Sequence, residues 1–131
     1  MTHMTDEQRI LAHIEKASRQ SETLRQLREY DEAIQAKLEA IYDAEELQHY
    51  DLENAKSEGK KAMKLQELRY ERMIKEQYYE IIVLAEKCGE LRKAEGAIVY
   101  HKYQREIEDF KKQYEQHMTN VNELERQLTN A

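Results

Sequence analysis

The run Glu46-Leu47-Gln48-His49 sets a carboxylate and an imidazole three residues apart. On a helix that spacing puts both on one face, which is part of what a carboxylate-bridged di-iron site asks of a helical bundle. Such a site also needs a second Glu-x-x-His and single glutamates from other helices. None of His3, His13, His101 and His117 has a glutamate three residues before it. In so glutamate-rich a chain, one match reads as a surface histidine in an acidic stretch, and no metal ligand is expected. Cys88, the only cysteine, lies between Lys87 and Gly89 on the apolar rhythm of its segment. It reads as a packed core thiol rather than a nucleophile. Gly-x-Gly-x-x-Gly, a phosphate loop and His-Glu-x-x-His are all missing. The expectation is a non-enzymatic chain with no catalytic, cofactor-binding or metal residues and no cofactor.

The elements that would position these side chains are helices. Charged residues make up 37% of the 131 positions, with no proline, no tryptophan and three glycines. Folds rich in tight turns draw on glycine and proline. Here the bulk is Glu, Lys, Arg, Gln, Leu and Ala, which lose little side-chain freedom in a helix. Regular apolar spacing opposes disorder. The single cysteine excludes an intrachain disulfide and suits a reducing compartment. No apolar run approaches the length of a membrane span, so a cytoplasmic protein with no membrane partner is expected. A second methionine, Met4, follows closely on Met1, so the first three residues read as a cloning remnant.

The pattern predicts an all-α fold within a single helical domain over 1–131. Long amphipathic helices would form an antiparallel helical hairpin, a three-helix bundle or a coiled coil, in a dimer. A helix over about 5–56 opens at Thr5, with Gln8 completing a capping box and Asp6 and Glu7 at the positive end of the dipole. Its apolar positions, mostly three, four or seven apart and so expected on one stripe, run from Ile10, Leu11, Ile14, Ala17 and Leu24 through Leu27, Ile34, Leu38 and Ile41 to Ala44, Leu47 and Leu52. Arg28 and Asp31 fall where an unbroken heptad wants apolar side chains. A turn near 57–61 centres on Gly59, expected in the left-handed conformation that closes a helix. A second helix over about 61–88 carries Met63, Leu68, Met73, Ile74, Tyr78, Ile81, Ile82, Ala85 and Cys88, and its stretch from Tyr78 to Ala85 should lie deepest. A four-residue slip through Arg92, Gly96 and Tyr100 points to a break at 89–96. The last helix, about 97–129, shows the clearest seam: Tyr103, Ile107, Phe110, Tyr114, Met118, Val121, Leu124 and Leu128.

The net charge of −6 is uneven. Acid gathers between Glu39 and Glu58, base between Lys60 and Lys75, which favours antiparallel pairing across the turn. The charges otherwise read as solvated faces. Overall acidity argues against direct nucleic-acid binding. The chain resembles small coiled-coil accessory proteins of bacteria and their phages in composition alone, and no residue role follows. Two functions are expected of it. The first is a helical protein–protein interaction module, an accessory or adaptor of phage or mobile-element type, homodimeric through the Tyr103–Leu128 seam and binding a protein partner. The second is an acidic inhibitor or nucleic-acid mimic, filling a basic groove with Glu39, Asp43, Glu45, Glu46, Asp51 and Glu53. Exposed tyrosines among Tyr30, Tyr42, Tyr50, Tyr70 and Tyr79 would be interface candidates.

Overall fold

The computed structural model describes residues 5–93 and 97–130, with the side chains of 97–100 and 102 outside the description. The expectations placed on Met1–Met4, Gly96 and Tyr100 therefore lie outside it. The described residues are almost entirely helical and contain no strand. Three helices pack against each other: α1 (Asp6–Ala55), α2 (Lys60–Arg92) and α3 (Ala97–Thr129). The β-branched Ile81, Ile82 and Val83 lie in mid-α2.

The capping box at the start of α1 is present in both directions. The Gln8 backbone N–H donates to Thr5 Oγ1 at 3.2 Å, and the Thr5 N–H donates to Gln8 Oε1 at 2.9 Å. At the other end, α1 tightens into a 3-10 turn over Lys56–Glu58. Gly59 follows with φ 103° and ψ 174°. That is the extended mirror region rather than the left-handed helical one, and essentially only glycine enters it. The reason is its position: Gly59 serves as the N-cap of α2, its carbonyl accepting from the Met63 N–H at 3.1 Å.

Alpha-2 is the central element. It runs antiparallel to α1, with Lys37 meeting Glu80 at one level and Asp51 meeting Gln66 further along. It runs antiparallel to α3 as well, with Arg72 against Glu125 and Glu86 against Lys111. Among the described residues close backbone approach joins α2 to both neighbours and does not join α1 to α3. The core follows from this. Leu27, Ile34, Ile41 and Ala44 of α1 and Tyr103 and Ile107 of α3 close on Tyr70, Ile74, Tyr78, Ile81, Ala85 and Cys88 of α2. Ile81, Ala85 and Cys88 have no solvent exposure at all. A smaller cluster of Leu68, Val121 and Leu124 closes the far end of the α2–α3 pair.

Helix lengths do not match. Alpha-1 has 50 residues, and α2 and α3 have 33 each. At 1.5 Å per residue these are about 75 Å and about 50 Å. Asp31 is level with Arg92, at the end of α2. The part of α1 before Leu27 therefore projects past the bundle as a single helix.

Candidate interaction surfaces

The projecting segment is the feature of the molecule that most needs explaining. Every residue from Thr5 to Glu22 is exposed. Ile10, Leu11, Ile14 and Leu24 expose 59%, 60%, 57% and 58% of their surface. A lone helix of this length is marginal in water, and helices in proteins are held chiefly by packing an apolar face. This one has the face but no packing.

Its phase is informative. The stripe that α1 gives to the bundle passes through Leu27, Ile34 and Ile41. Extended backward by helical steps, that stripe meets Thr23, Gln20, Lys16, His13 and Arg9, which are all polar. The exposed stripe of Ile10, Ile14, Ala17 and Leu24 is rotated by about 95° around the axis. Carried forward into the bundle, it meets Arg28, Asp31 and Gln35. The two stripes exchange polarity between Leu24 and Leu27. The exposed face is thus a second surface confined to the projection, not an overrun of the bundle face. Reading α1 as one stripe conceals this; the polar Arg28 and Asp31 are the signal that gives it away.

Asp31 and its neighbours have their own work at the base of the projection. The Asp31 carboxylate accepts from Arg92 Nη2 at 3.2 Å, and Cys88 Sγ lies 4.0 Å from its other oxygen. The Arg92 guanidinium stands over the Tyr103 ring, 4.7 Å from its centre. The slip in the apolar rhythm at Arg92 therefore places a cation where all three helices converge. Burial pushes the Cys88 thiol above its ordinary range, which keeps it in the inert protonated form.

The stripe expected as an oligomer seam faces α2 of its own chain. Tyr103, Ile107, Val121 and Leu124 are buried there. Phe110, Tyr114 and Leu128 are half-buried against the same two clusters. Met118 alone is open, at 37% exposure. Two helices of equal length, 33 residues each, cover each other here.

The acidic stretch divides. Glu39, Asp43, Glu45, Glu46 and Glu53 are exposed, and Glu53 pairs with Lys56 on its own helix. Asp51 faces inward and accepts from Gln66 at 3.1 Å and from the Tyr70 hydroxyl. Among the described residues no carboxylate of Glu39–Glu58 forms an ion pair with a base of Lys60–Lys75. Apolar side chains and Tyr70 occupy the α1–α2 contact, which leaves both charge sets outside. Arg72 turns instead to Glu125 of α3, at 2.8 Å. Tyr42, Tyr50 and Tyr79 are exposed, Tyr30 is half-buried and Tyr70 is buried. Glu46 and His49 border a shallow surface depression with Tyr42 and Glu45. Among the described residues no cluster of three or more His, Cys, Asp or Glu is arranged to hold a metal ion. No described helix is long and apolar enough to cross a membrane.

Compared with family models, with curated proteins and with solved structures, the chain matches none.

Proposed function

We propose that this chain is a non-enzymatic helical interaction protein, an accessory or adaptor that works by presenting a helix to a protein partner. The single observation that carries this reading is the projecting part of α1, with an apolar stripe that its own bundle leaves uncovered. Contiguous exposed apolar surface on a folded protein marks an interaction site more often than chance. A stripe at helical spacing suits helix-in-groove or helix-on-helix recognition.

The test is a photo-crosslinking residue placed at Leu11 in the full chain, expressed in its source cells. A discrete crosslinked species that disappears with Ile14→Glu is the expected result. Crosslinking that is absent, or indifferent to Ile14, would sink the reading.

A second reading has its own support. Glu39, Asp43, Glu45 and Glu46 remain outward and unneutralised by the basic part of α2. Such a surface suits a basic groove in a nucleic-acid-handling protein, as an acidic mimic of the phosphate backbone. Binding of that kind weakens steeply with salt, whereas an apolar helix contact does not. Glu45→Lys with Glu46→Lys should abolish a mimic's activity and leave stability unchanged. Asp51 is unsuitable for the same test, because its removal would strand the Tyr70 hydroxyl.

A further inference from the structure

The stripe on the projection has a definite length, a definite pattern of large and small residues, and charges at both ends. Together these define what would cover it. We infer that the occupant is the same segment of a second copy, paired antiparallel about a two-fold axis between Glu15 and Lys16. This rests on the interaction reading above and names the partner.

Length is the first argument. The free segment from Thr5 to Gln26 spans about 33 Å. An antiparallel copy centred between Glu15 and Lys16 runs from the level of Gln26 to that of Thr5. Its helix from Thr5 onward covers the whole projection. The two bundles then lie at opposite ends and do not collide.

Side-chain size is the second. In this register Ile14 lies level with Ala17 of the other copy, and Ile10 with Ser21. Both isoleucines thus meet a small residue and these layers interdigitate, while Leu24 lies level with Glu7. A parallel pair would instead stack Ala17 on Ala17 and Ser21 on Ser21, leaving gaps.

Charge is the third. The first turn of α1 is acidic, with Asp6 and Glu7. Antiparallel pairing brings that turn beside Arg25 and Arg28 of the other copy, all four being exposed in the single chain. Glu7, Leu11, Ser18 and Arg25 lie along one flank of the stripe, and the two-fold axis sets like flanks together. Glu7 therefore faces Arg25 twice per dimer. Parallel pairing would set opposite flanks together, so Glu7 would meet no Arg25 of the other copy. Closed two-fold pairing of one patch with itself is also the commonest way a soluble chain oligomerises.

Sedimentation and small-angle scattering of the full chain provide the test. The expected particle has twice the monomer mass and a longest dimension of about 115 Å, against about 75 Å for the single chain. Ile14→Glu should give monomer while leaving the bundle's thermal unfolding unchanged, because Ile14 is exposed on the projection, away from the bundle core. Glu7→Arg should weaken association by about tenfold, through repulsion at two symmetric places. Adding Arg25→Glu to it should restore most of the loss, which only the antiparallel register allows. Monomeric mass at high concentration overturns the pairing, as does a dimer indifferent to Ile14→Glu. Failure of the charge swap to rescue overturns the register. A monomer whose Leu11 crosslinks specifically to a different protein overturns self-pairing and leaves the interaction reading standing. A monomer that crosslinks to nothing overturns both.

Discussion

Glu71 of α2 meets His117 of α3 through a carboxylate–Nδ1 contact, with both side chains almost out of solvent, at 11% and 14% exposure. The His117 ring is also stacked on Tyr78, 5.5 Å between centres and 17° between planes. Glu71 is the one charged residue classed with the core among the described residues. Breaking such a pair from one side leaves a charge without its partner, which costs more than the pair itself is worth.

Removing one member should therefore hurt more than replacing both. Glu71→Ala or His117→Ala should each lower unfolding stability by roughly 2–4 kcal/mol. Glu71→Leu with His117→Leu should stay within about 1 kcal/mol of the parent. Urea unfolding of the two Ala variants and their double checks the pairing, and a coupling below about 0.5 kcal/mol would show it to be idle.

Two glycines should respond in opposite directions. At Gly89, inside α2, an added Cβ would sit 3.5 Å from Ile107 Cδ1 and 3.7 Å from Tyr103 Cδ1, ordinary contact distances. Gly89→Ala should stabilise by about 0.5–1 kcal/mol through helix propensity. Gly59 has open space around it but a backbone angle of 103°. Gly59→Ala should cost about 1–3 kcal/mol through strain alone. Thermal melts of the two variants shifting the same way would contradict this.

Stability should fall in alkali. Burial holds the Cys88 thiol above its ordinary 9.0, and the Tyr78 and Tyr103 phenols above their ordinary 10.0. The Tyr70 phenol is raised first by its hydrogen bond to Asp51. A group whose folded value is raised lends stability that is fully present below its unfolded value and lost as pH rises toward the folded one. The decline should begin near pH 9 and steepen above pH 10. Urea melts from pH 7 to pH 11 measure it, and Tyr103→Phe should flatten the curve. A flat profile in the parent would refute the assignment.

Cys88 should resist alkylation in the folded chain. It has no exposed surface, and its thiol is kept protonated by burial. Labelling with iodoacetamide at pH 8 should follow global unfolding and be complete only in denaturant. Fast labelling of native protein would mean that the junction with Asp31 and Arg92 opens.

Much of the fold was legible because it is periodic or local. The capping box at Thr5 and Gln8 is a contact across one helical turn, and three residues specify it. The helical class follows from composition and apolar spacing, properties each segment carries by itself. The burial of Tyr78, Ile81, Ala85 and Cys88 follows from the most apolar run in the chain. What a segment cannot carry is the identity of its cover. The spacing of Tyr103, Ile107, Val121 and Leu124 announces a seam, and that spacing is the same whether the facing helix belongs to this chain or another. Only the antiparallel register of α2 on α3 decided it. Asp51 reads in sequence like any acid of its stretch, yet the approach of Gln66 and Tyr70 turns it into an internal acceptor. The level at which Asp31 meets Arg92 is likewise a tertiary fact. It sets where α2 stops along α1, and so leaves Ile10, Leu11, Ile14 and Leu24 without a partner. Sequence determined that α1 has apolar residues on two faces, because helical phase is local. Structure alone decided which face the bundle covers, because burial depends on where the neighbouring helices end.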